Sequence, residues 1–298
     1  MKTYLDCIPC FFKQALESAR IAGADEKTQK EILDKICRLV LKFPLDSCPA
    51  EIGRSINGII REKTGKPDPY LEIKRKSNCF ALGLYPRLKN KTAHSNDKLL
   101  AGVILSIVGN VIDYGVKNSL NVKEEVERSI KQDFDGKKNF SSTIFDYPEF
   151  KKSLAMAKTV LYLADNAGEV VFDRVLIEEI KNRFLKNDKK IIYAVRGKPA
   201  INDALVEDAE FCGIGGLAEI IPSGSDAPGT VLKFCSEEFI KIYKKADLII
   251  SKGQGNFEAL SGEKNKSIFF LFKVKCPVIA RDVGCKIGSI VLKRNKAA

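Results

Sequence analysis

The sequence predicts an α/β protein in which a helical N-terminal domain precedes a three-layer α/β/α domain with a mainly parallel sheet. In the first half, apolar residues recur at three- and four-residue spacing, as at Ile32, Ile36 and Leu39, and this period is typical of amphipathic helices. In the second half, short apolar runs alternate with amphipathic stretches of helix length. Strands that alternate with helices indicate right-handed βαβ units, whose parallel sheet is covered on both faces.

The helices predicted in the first half share an apolar stripe at helical spacing. They span Cys10–Arg20, Asp25–Lys42, Ala50–Lys63, Ala81–Leu88, Lys98–Tyr114 and Lys123–Gln132. The stretch Thr64–Pro69 contains one Gly and two Pro residues, a composition typical of a turn. We therefore expect a helical domain over residues 1–150.

The strands predicted in the second half are short apolar runs separated by helical stretches such as Val170–Phe184 and Thr230–Lys245. They span Thr159–Ala164, Lys190–Val195, Glu219–Ile221, Leu248–Ser251 and Ser267–Phe272. A chain of 298 residues suits one large domain or two smaller ones. We predict a Rossmann-like α/β catalytic domain over residues 151–298, with the functional site in the cleft between the two domains.

The composition, 45% hydrophobic and 30% charged, is that of an ordinary globular protein. The longest apolar run, Leu99–Gly109, is shorter than the roughly 20 residues of a membrane span, so we expect no membrane association. Asp6 interrupts the N-terminal segment early, which argues against a signal peptide. The nine scattered cysteines then indicate reduced thiols and a cytoplasmic protein.

The net charge of +12 raises the alternative of a basic nucleic-acid-binding protein. The excess is uneven, because residues 264–298 hold nine Lys and Arg against Asp282 alone. No basic–aromatic interleaving or nucleic-acid motif accompanies this tail, so we do not expect a nucleic-acid partner. Lys273 and Lys275 follow the last predicted strand, where they would attract small phosphorylated anions instead.

Polar residues and glycines follow four of the predicted strands. These segments are Asp165–Glu169, Arg196–Asp203, Ser223–Asp226 and Lys252–Asn256. Ligands bind beyond the carboxyl ends of the strands in an open parallel sheet, so we expect the four segments to meet at one rim. Any one of them alone is equally typical of a cap for the next helix, but the four together favour a functional site.

The residue types at this rim indicate metal-assisted phosphoryl chemistry. Asp165, Asn166 and Asp203 offer hard oxygen ligands, which suit Mg²⁺ or Mn²⁺. Lys252 and Arg196 would neutralise a phosphate, and the glycines would let backbone N–H groups approach it. These are the parts of metal-assisted phosphate ester hydrolysis. The single histidine, His94, argues against histidine-rich metal sites and serine–histidine triads.

The segment Leu163–Glu169, Leu-Ala-Asp-Asn-Ala-Gly-Glu, resembles the signature of the damage-control phosphatases. Gly109–Asp113, the pair Asn202-Asp203 and Lys252–Asn256 are similar to further motifs of that family, and the resemblance extends over nearly the whole chain. The N-terminal Cys7-Ile8-Pro9-Cys10 resembles the nucleotide phosphatase I subgroup.

The resemblance implies a cytosolic, metal-dependent phosphatase that acts on small phosphorylated metabolites, such as damaged or surplus nucleotides or sugar phosphates. It implies that Asp165, Asn166 and Asp203 hold the divalent metal, with Mn²⁺, Ni²⁺, Co²⁺ or Mg²⁺ as candidates. Glu169 would act near the scissile phosphate, and Lys252 would bind phosphate. The other expected substrate-binding residues are Asn110, Asp113, Arg196 and Asn256.

Three features of the sequence bear on how far the resemblance extends. Other subgroups have an Arg-Thr-x-Lys motif where this chain has Lys273–Cys276, so their substrate preferences are not carried over. Asn110 and Asp113 end a very apolar stretch of helix, Leu99–Val108, and they either reach the cleft or reflect helix packing or a break. Cys7 and Cys10 have the spacing of a metal or redox pair, but no second pair accompanies them, which favours ordinary packing.

For the reaction, we expect attack by water, with Glu169 orienting or deprotonating it. Covalent attack by Asp165 is the second route. The alternative enzyme class is a doubly wound, cofactor-binding transferase such as a methyltransferase.

Overall fold

The structure is a computed structural model that describes residues 1–109, 144–184 and 189–295. Within these ranges the chain forms eleven α-helices and six strands. The helices are α1 Cys7–Ile21, α2 Glu26–Lys42, α3 Pro49–Thr64, α4 Leu71–Ala93, α5 Lys98–Val108, α6 Tyr147–Met156, α7 Glu169–Phe184, α8 Val206–Phe211, α9 Glu237–Lys245, α10 Gly253–Leu260 and α11 Pro277–Val283. The predicted helix Lys123–Gln132 and the candidate residues Asn110 and Asp113 lie outside the described residues.

The described strands form one sheet in the order β3-β2-β1-β4-β5-β6. They are β1 Thr159–Leu163, β2 Lys190–Val195, β3 Glu219–Pro222, β4 Leu248–Lys252, β5 Ile268–Lys273 and β6 Ile290–Arg294. β1 to β5 are parallel to their neighbours, and β6 is antiparallel to β5. The predicted α/β class with a mainly parallel sheet is therefore confirmed, and its strand order is that of a doubly wound fold.

Local sequence signals fix several helix ends. The carboxylates of Asp25 and Asp97 accept hydrogen bonds from the backbone N–H groups of Thr28 and Leu100, which caps α2 and α5. Gly65 ends α3 with a left-handed backbone conformation, φ +66°.

Alternate residues of each strand face two separate hydrophobic layers. On one face, Val160 and Tyr162 of β1 belong to a core cluster with Val103 of α5 and Val171 of α7. On the other face, Leu161 and Leu163 belong to a second cluster, which includes residues of α9, α10 and α11. Neighbouring residues of a strand point to opposite faces. A continuous apolar strand therefore contributes side chains to both hydrophobic layers.

The N-terminal helices divide between two cores. Helices α1, α2 and α3 pack around their own cluster, which includes Phe11, Ile32 and Ile56. Helices α4 and α5 instead contribute Leu88, Leu99 and other residues to the cluster that covers the sheet. The domain boundary at residue 150 stays a prediction, and these contacts place two of the helices before it on the α/β core.

Among the helices that the structure describes, none combines the length and apolar character of a membrane span. The most apolar of them, α5, has 11 residues. The expected cytoplasmic location stays a prediction.

Candidate active site

The rim of the sheet between β1 and β4 brings the predicted site residues together. The strand order reverses at this point, because β2 follows β1 on one side and β5 follows β4 on the other. Such a switch point opens a crevice at the carboxyl ends of the strands, where doubly wound folds bind ligands. Asp165 lies just beyond β1, and Lys252 is the last residue of β4.

Asp165, Asn166 and Asp203 meet at this crevice through the backbone as well as the side chains. The N–H of Ala204 donates to the carbonyl oxygen of Asp165 over 2.8 Å, and Asn166 and Asp203 form an isolated antiparallel bridge. Nδ2 of Asn166 donates to Oδ2 of Asp165 over 2.8 Å. The loop after β1 and the loop after β2 are thereby joined, so the three predicted ligands are adjacent and buried.

Burial, together with the crowding of carboxylates, raises the pKa of Asp165 well above its ordinary value. Burial is the largest cause, and the nearby carboxylates of Glu169 and Asp203 add to it, while Lys275 and Arg196 partly oppose it. Like charges in a buried crevice disfavour each other's ionised form, and a divalent cation would remove that repulsion. The oxygen ligands that Asp165, Asn166 and Asp203 offer to a metal are two carboxylates and one amide. These are hard ligands of the kind that Mg²⁺ and Mn²⁺ prefer.

Lys252 lies fully buried between two carboxylates. Its Nζ donates to Oε1 of Glu169 and to Oδ1 of Asp173, each over 2.6 Å, and to the carbonyl oxygen of Ser106 over 3.0 Å. These partners account for all three N–H donors of an ammonium group. Burial would lower the pKa of Lys252, but Asp173 and Glu169 outweigh it and raise this pKa to about 12. Lys252 is therefore a fixed cation that orients Glu169.

Asp173, which the sequence analysis did not single out, is the centre of this network. Its carboxylate accepts hydrogen bonds from the hydroxyls of Tyr162 and Tyr193, over 2.7 and 2.9 Å, and from Ser106 over 3.1 Å. The signal that could have found it is its position four residues after Glu169 on an otherwise apolar face of α7, since residues so spaced share a helix face.

Arg196 and Asn256 connect the loops of the rim through buried hydrogen bonds. Nε of Arg196 donates to Oδ2 of Asp203 over 2.5 Å, and its other nitrogens contact Thr230, Ala164 and Asn256. Nδ2 of Asn256 donates to the carbonyl oxygens of Ala164 and Lys252. Both residues are buried. Substrate binding by Arg196 and Asn256 stays a prediction, and these contacts indicate that they position the loops.

The paired cysteines near the N-terminus lie close enough to Cys276 and Glu258 to interact with them electrostatically. Helix α1 begins at Cys7, and all nine cysteines are described and free of disulfides. Burial raises the pKa of both Cys7 and Cys10, whereas reactive thiols have a lowered pKa. Within the described ranges, no group of three or more His, Cys, Asp or Glu side chains is arranged to hold a metal. Ordinary packing of the pair stays a prediction.

The fold and the rim define a doubly wound α/β protein with acidic, amide and basic groups at its switch point. The chain matches the family model described as the damage-control phosphatase ARMT1-like domain over residues 3–291. Its relatives include damage-control phosphatase PH1575 of Pyrococcus horikoshii, 36% identical over 99% of both chains. The damage-control phosphatase of Archaeoglobus fulgidus is 34% identical, over 96% of this chain and 97% of that protein.

Two further matches agree with this relationship. The uncharacterized protein MJ0202 of Methanocaldococcus jannaschii is 34% identical, over 97% of this chain and 94% of that protein. The crystal structure of PH1575, a DUF89 family protein of P. horikoshii, has a TM-score of 0.87 to this chain at 34% identity, over 99% of this chain and all of that one. The chain therefore belongs to the damage-control phosphatase family, as the sequence motifs predicted. The transferase and nucleic-acid-binding alternatives gain no support from these matches.

Proposed function

We propose that this protein is a metal-dependent phosphatase that hydrolyses small phosphate monoesters, with damaged or surplus nucleotides or sugar phosphates as its substrate class. The observation that carries the proposal is the meeting of Asp165, Asn166, Asp203 and Glu169 beside Lys252 at the switch point of the sheet. Membership of the damage-control phosphatase family supports the same reaction.

Asp165, Asn166 and Asp203 are the residues that would hold the divalent cation, with Mn²⁺, Ni²⁺, Co²⁺ and Mg²⁺ as the candidates. When bound there, the cation would neutralise phosphate charge and polarise the ester. Arg196 keeps Asp203 in place through its hydrogen bond. Asn166 spans Asp165 and Glu169, since its Nδ2 also lies 3.3 Å from Oε2 of Glu169.

Glu169 is the proposed proton acceptor. Its Oε1 is fixed by Lys252, and the side chain is buried at the first turn of α7. A water oxygen attacks phosphorus and gives a proton to Glu169, and the bond between phosphorus and the ester oxygen breaks. The leaving alkoxide oxygen takes up that proton from Glu169 and departs as an alcohol. Covalent attack by Asp165 is the less favoured route, because a carboxylate that holds a cation is a weaker nucleophile.

Lys275 is the proposed phosphate-binding cation. It follows β5, the neighbour of β4, and it lies close enough to Asp165 to counteract the rise in the pKa of that carboxyl. Its backbone N–H donates to Oε1 of Gln254 over 3.2 Å, which fixes the loop. All three donors of Lys252 are engaged by protein oxygens, and the charge of Lys275 acts on Asp165 at the rim, so we assign phosphate binding to Lys275.

The test is hydrolysis of p-nitrophenyl phosphate with each of the four metals and with chelator. We expect chelator and Asp165→Asn each to reduce kcat/KM at least about 100-fold, beyond the 10–100-fold typical of outer partners of a metal site. The matched control is Asp247→Asn. Its carboxylate accepts hydrogen bonds from the N–H groups of Lys158 and Thr159. These groups lie at the amino-terminal end of the strands, opposite the rim, so activity should be retained. Full activity in chelator or in Asp165→Asn would contradict the proposal.

Three further measurements test metal binding, the substrate class and the route. Mn²⁺ should raise the Tm of the wild-type protein but not of Asp165→Asn, because a ligand that binds only the folded state stabilises it. A panel of sugar phosphates, nucleoside monophosphates and phosphodiesters should show turnover of the monoesters alone. Stoichiometric phosphate trapped on Asp165 would replace water attack by the covalent route.

A further inference from the structure

We propose that Asn78, on α4, is a positioning residue for the loop Asp165–Glu169. The backbone N–H of Gly168 donates to Oδ1 of Asn78 over 2.6 Å, and Nδ2 of Asn78 donates to Oδ1 of Asp208 over 2.7 Å. Asn78 is 2% exposed. A side chain from the N-terminal half of the protein therefore bonds directly to the loop that presents the proposed metal ligands and proton acceptor. The proposal rests on the function proposed above.

Gly168 is the point at which this loop turns into α7. It has a left-handed backbone, φ +78°, a conformation that few residues other than glycine adopt. The next residue is Glu169, and the N–H of the preceding Ala167 donates to the carbonyl oxygen of Asn202 over 2.9 Å. The loop is thus fixed from two sides, by Asn202 and by Asn78. Because a buried N–H without a partner costs free energy, loss of the Asn78 bond would release the side next to Glu169.

The orientation of the Asn78 amide is set by a buried charge. Oδ2 of Asp208 accepts a hydrogen bond from the N–H of Leu205 over 2.9 Å, and it lies 3.6 Å from Nζ of Lys74. Lys74, also buried, forms an ion pair with Asp68 at 2.7 Å. A carboxylate accepts hydrogen bonds but cannot donate them, so the NH₂ group of Asn78 must face Asp208. Its Oδ1 is left to face Gly168.

This arrangement gives Asn78 an indirect role. Its hydrogen bonds go to Gly168 and Asp208. Asn78 therefore acts on Glu169 only through the backbone of Gly168, the preceding residue. Partners that orient the groups of a metal site typically affect metal affinity or activity by about 10- to 100-fold. We expect a loss of that size in kcat and in Mn²⁺ affinity when the bond is removed, with a smaller change in KM.

The experiment compares Asn78→Ala, Asn78→Asp, Asp208→Asn and the double variant Asn78→Asp with Asp208→Asn. Asn78→Asp sets two carboxylates against each other, which disfavours their ionised forms. The double variant exchanges the two side chains, so that an aspartate at position 78 accepts from Gly168 and from the new amide at position 208. We expect Asn78→Ala and Asn78→Asp to lower kcat about 10- to 100-fold, and the double variant to recover most of the loss of Asn78→Asp.

The matched control is Asn295→Ala. Asn295 is a buried asparagine that joins the backbone of Ile268 to that of Glu263 and Lys266. It lies at the start of β5, whereas the rim is at the carboxyl ends of the strands. A loss of kcat shared by Asn295→Ala and Asn78→Ala would be attributed to general destabilisation. A loss of kcat seen only in Asn78→Ala would be attributed to positioning of the loop.

Two measurements test the role of Asn78 independently of phosphatase activity. They are amide hydrogen exchange of the peptide that contains Gly168 and Mn²⁺ binding measured by calorimetry. Faster exchange in Asn78→Ala and its recovery in the double variant are expected. Unchanged exchange in Asn78→Ala, or a double variant no better than Asn78→Asp, would overturn the role of Asn78. Absence of phosphatase activity in the wild-type protein would instead overturn the proposed function, and the exchange result would still stand.

Discussion

Lys252 donates a hydrogen bond to Asp173 over 2.6 Å, and both side chains are fully buried. Asp173 also accepts from Tyr162 on β1 and Tyr193 on β2. The lysine at the end of β4 is thus held by a carboxylate of α7 that two neighbouring strands fix in place. One buried ion pair thereby connects the packing of the sheet with the orientation of Glu169.

Removal of either partner of this pair should be strongly destabilising. Breaking a buried ion pair leaves an uncompensated charge and typically costs about 3–5 kcal/mol. We expect Asp173→Asn and Lys252→Met each to lower the free energy of unfolding by about 3 kcal/mol, measured by urea denaturation at pH 7. The double variant should lose less than the sum of the two, because the partners are coupled. Strictly additive losses would show that the pair does not act as a unit.

Lys275 and Lys273 should differ in their effect on catalysis. A hydrogen bond to a charged group contributes about 1.5–3 kcal/mol, which corresponds to about 10- to 150-fold in rate. We expect Lys275→Ala to lower kcat/KM for p-nitrophenyl phosphate within that range at any salt concentration. Lys273→Ala removes only long-range attraction, so its effect should stay below about 3-fold and vanish at 0.5 M salt, where charges are screened. Equal effects of the two substitutions would argue against phosphate binding by Lys275.

The sequence predicted the strands well because a parallel sheet buried on both faces needs continuous apolar runs. It missed β6, Ile290–Arg294, since this strand lies antiparallel at the sheet edge and ends in two basic residues, which leaves an apolar run of only three residues. The single helix predicted over Thr230–Lys245 is wrong in its first half. There the chain makes a 3₁₀ turn at Leu232–Phe234, and α9 begins only after Ser236, whose hydroxyl caps it.

The candidate site was predictable at the strand ends and in the segments that directly follow them, but not deeper inside the helices. Asp165, Asn166, Asp203 and Lys252 stand at strand ends, and the rule that these ends share one edge brings them together. Asp173 and Asn78 lie inside helices, where a polar residue in the sequence looks the same whether it faces solvent or a buried partner. The helix spacing points to Asp173 only as a polar residue on an apolar face. The partners of Asp173 and Asn78 lie on distant segments, which the pattern along the chain does not identify.

Glu258 should make stability depend on pH. Burial raises its pKa from 4.5 to about 7, although a hydrogen bond from Gln254 and the N-terminal ammonium oppose this. The folded state therefore binds the proton more tightly than the unfolded chain does, so the free energy of unfolding falls as the pH rises from 4.5 to 7 and levels off above.

Each pKa unit corresponds to about 1.4 kcal/mol, and partial solvent exposure of Glu258 reduces the effect to about 1–2 kcal/mol in total. Glu258→Gln should flatten this part of the profile, measured by urea denaturation between pH 5 and 8. Glu149→Gln, at an exposed position on α6, should keep the wild-type slope. A slope that Glu258→Gln leaves unchanged would assign the pH dependence to another group.

Gly253, the first residue of α10, should tolerate no side chain. Its φ of +78° lies in the left-handed region, and a Cβ atom there would overlap the carboxylate of Asp165. Gly253→Ala should cost about 1–2 kcal/mol of stability from backbone strain and should displace Asp165, which abolishes Mn²⁺ binding measured by calorimetry. The control is Gly262→Ala, where a Cβ would meet no atom within 4 Å and the change should stay within about 0.5 kcal/mol. Wild-type Mn²⁺ affinity in a folded Gly253→Ala protein would show that Asp165 does not hold the metal.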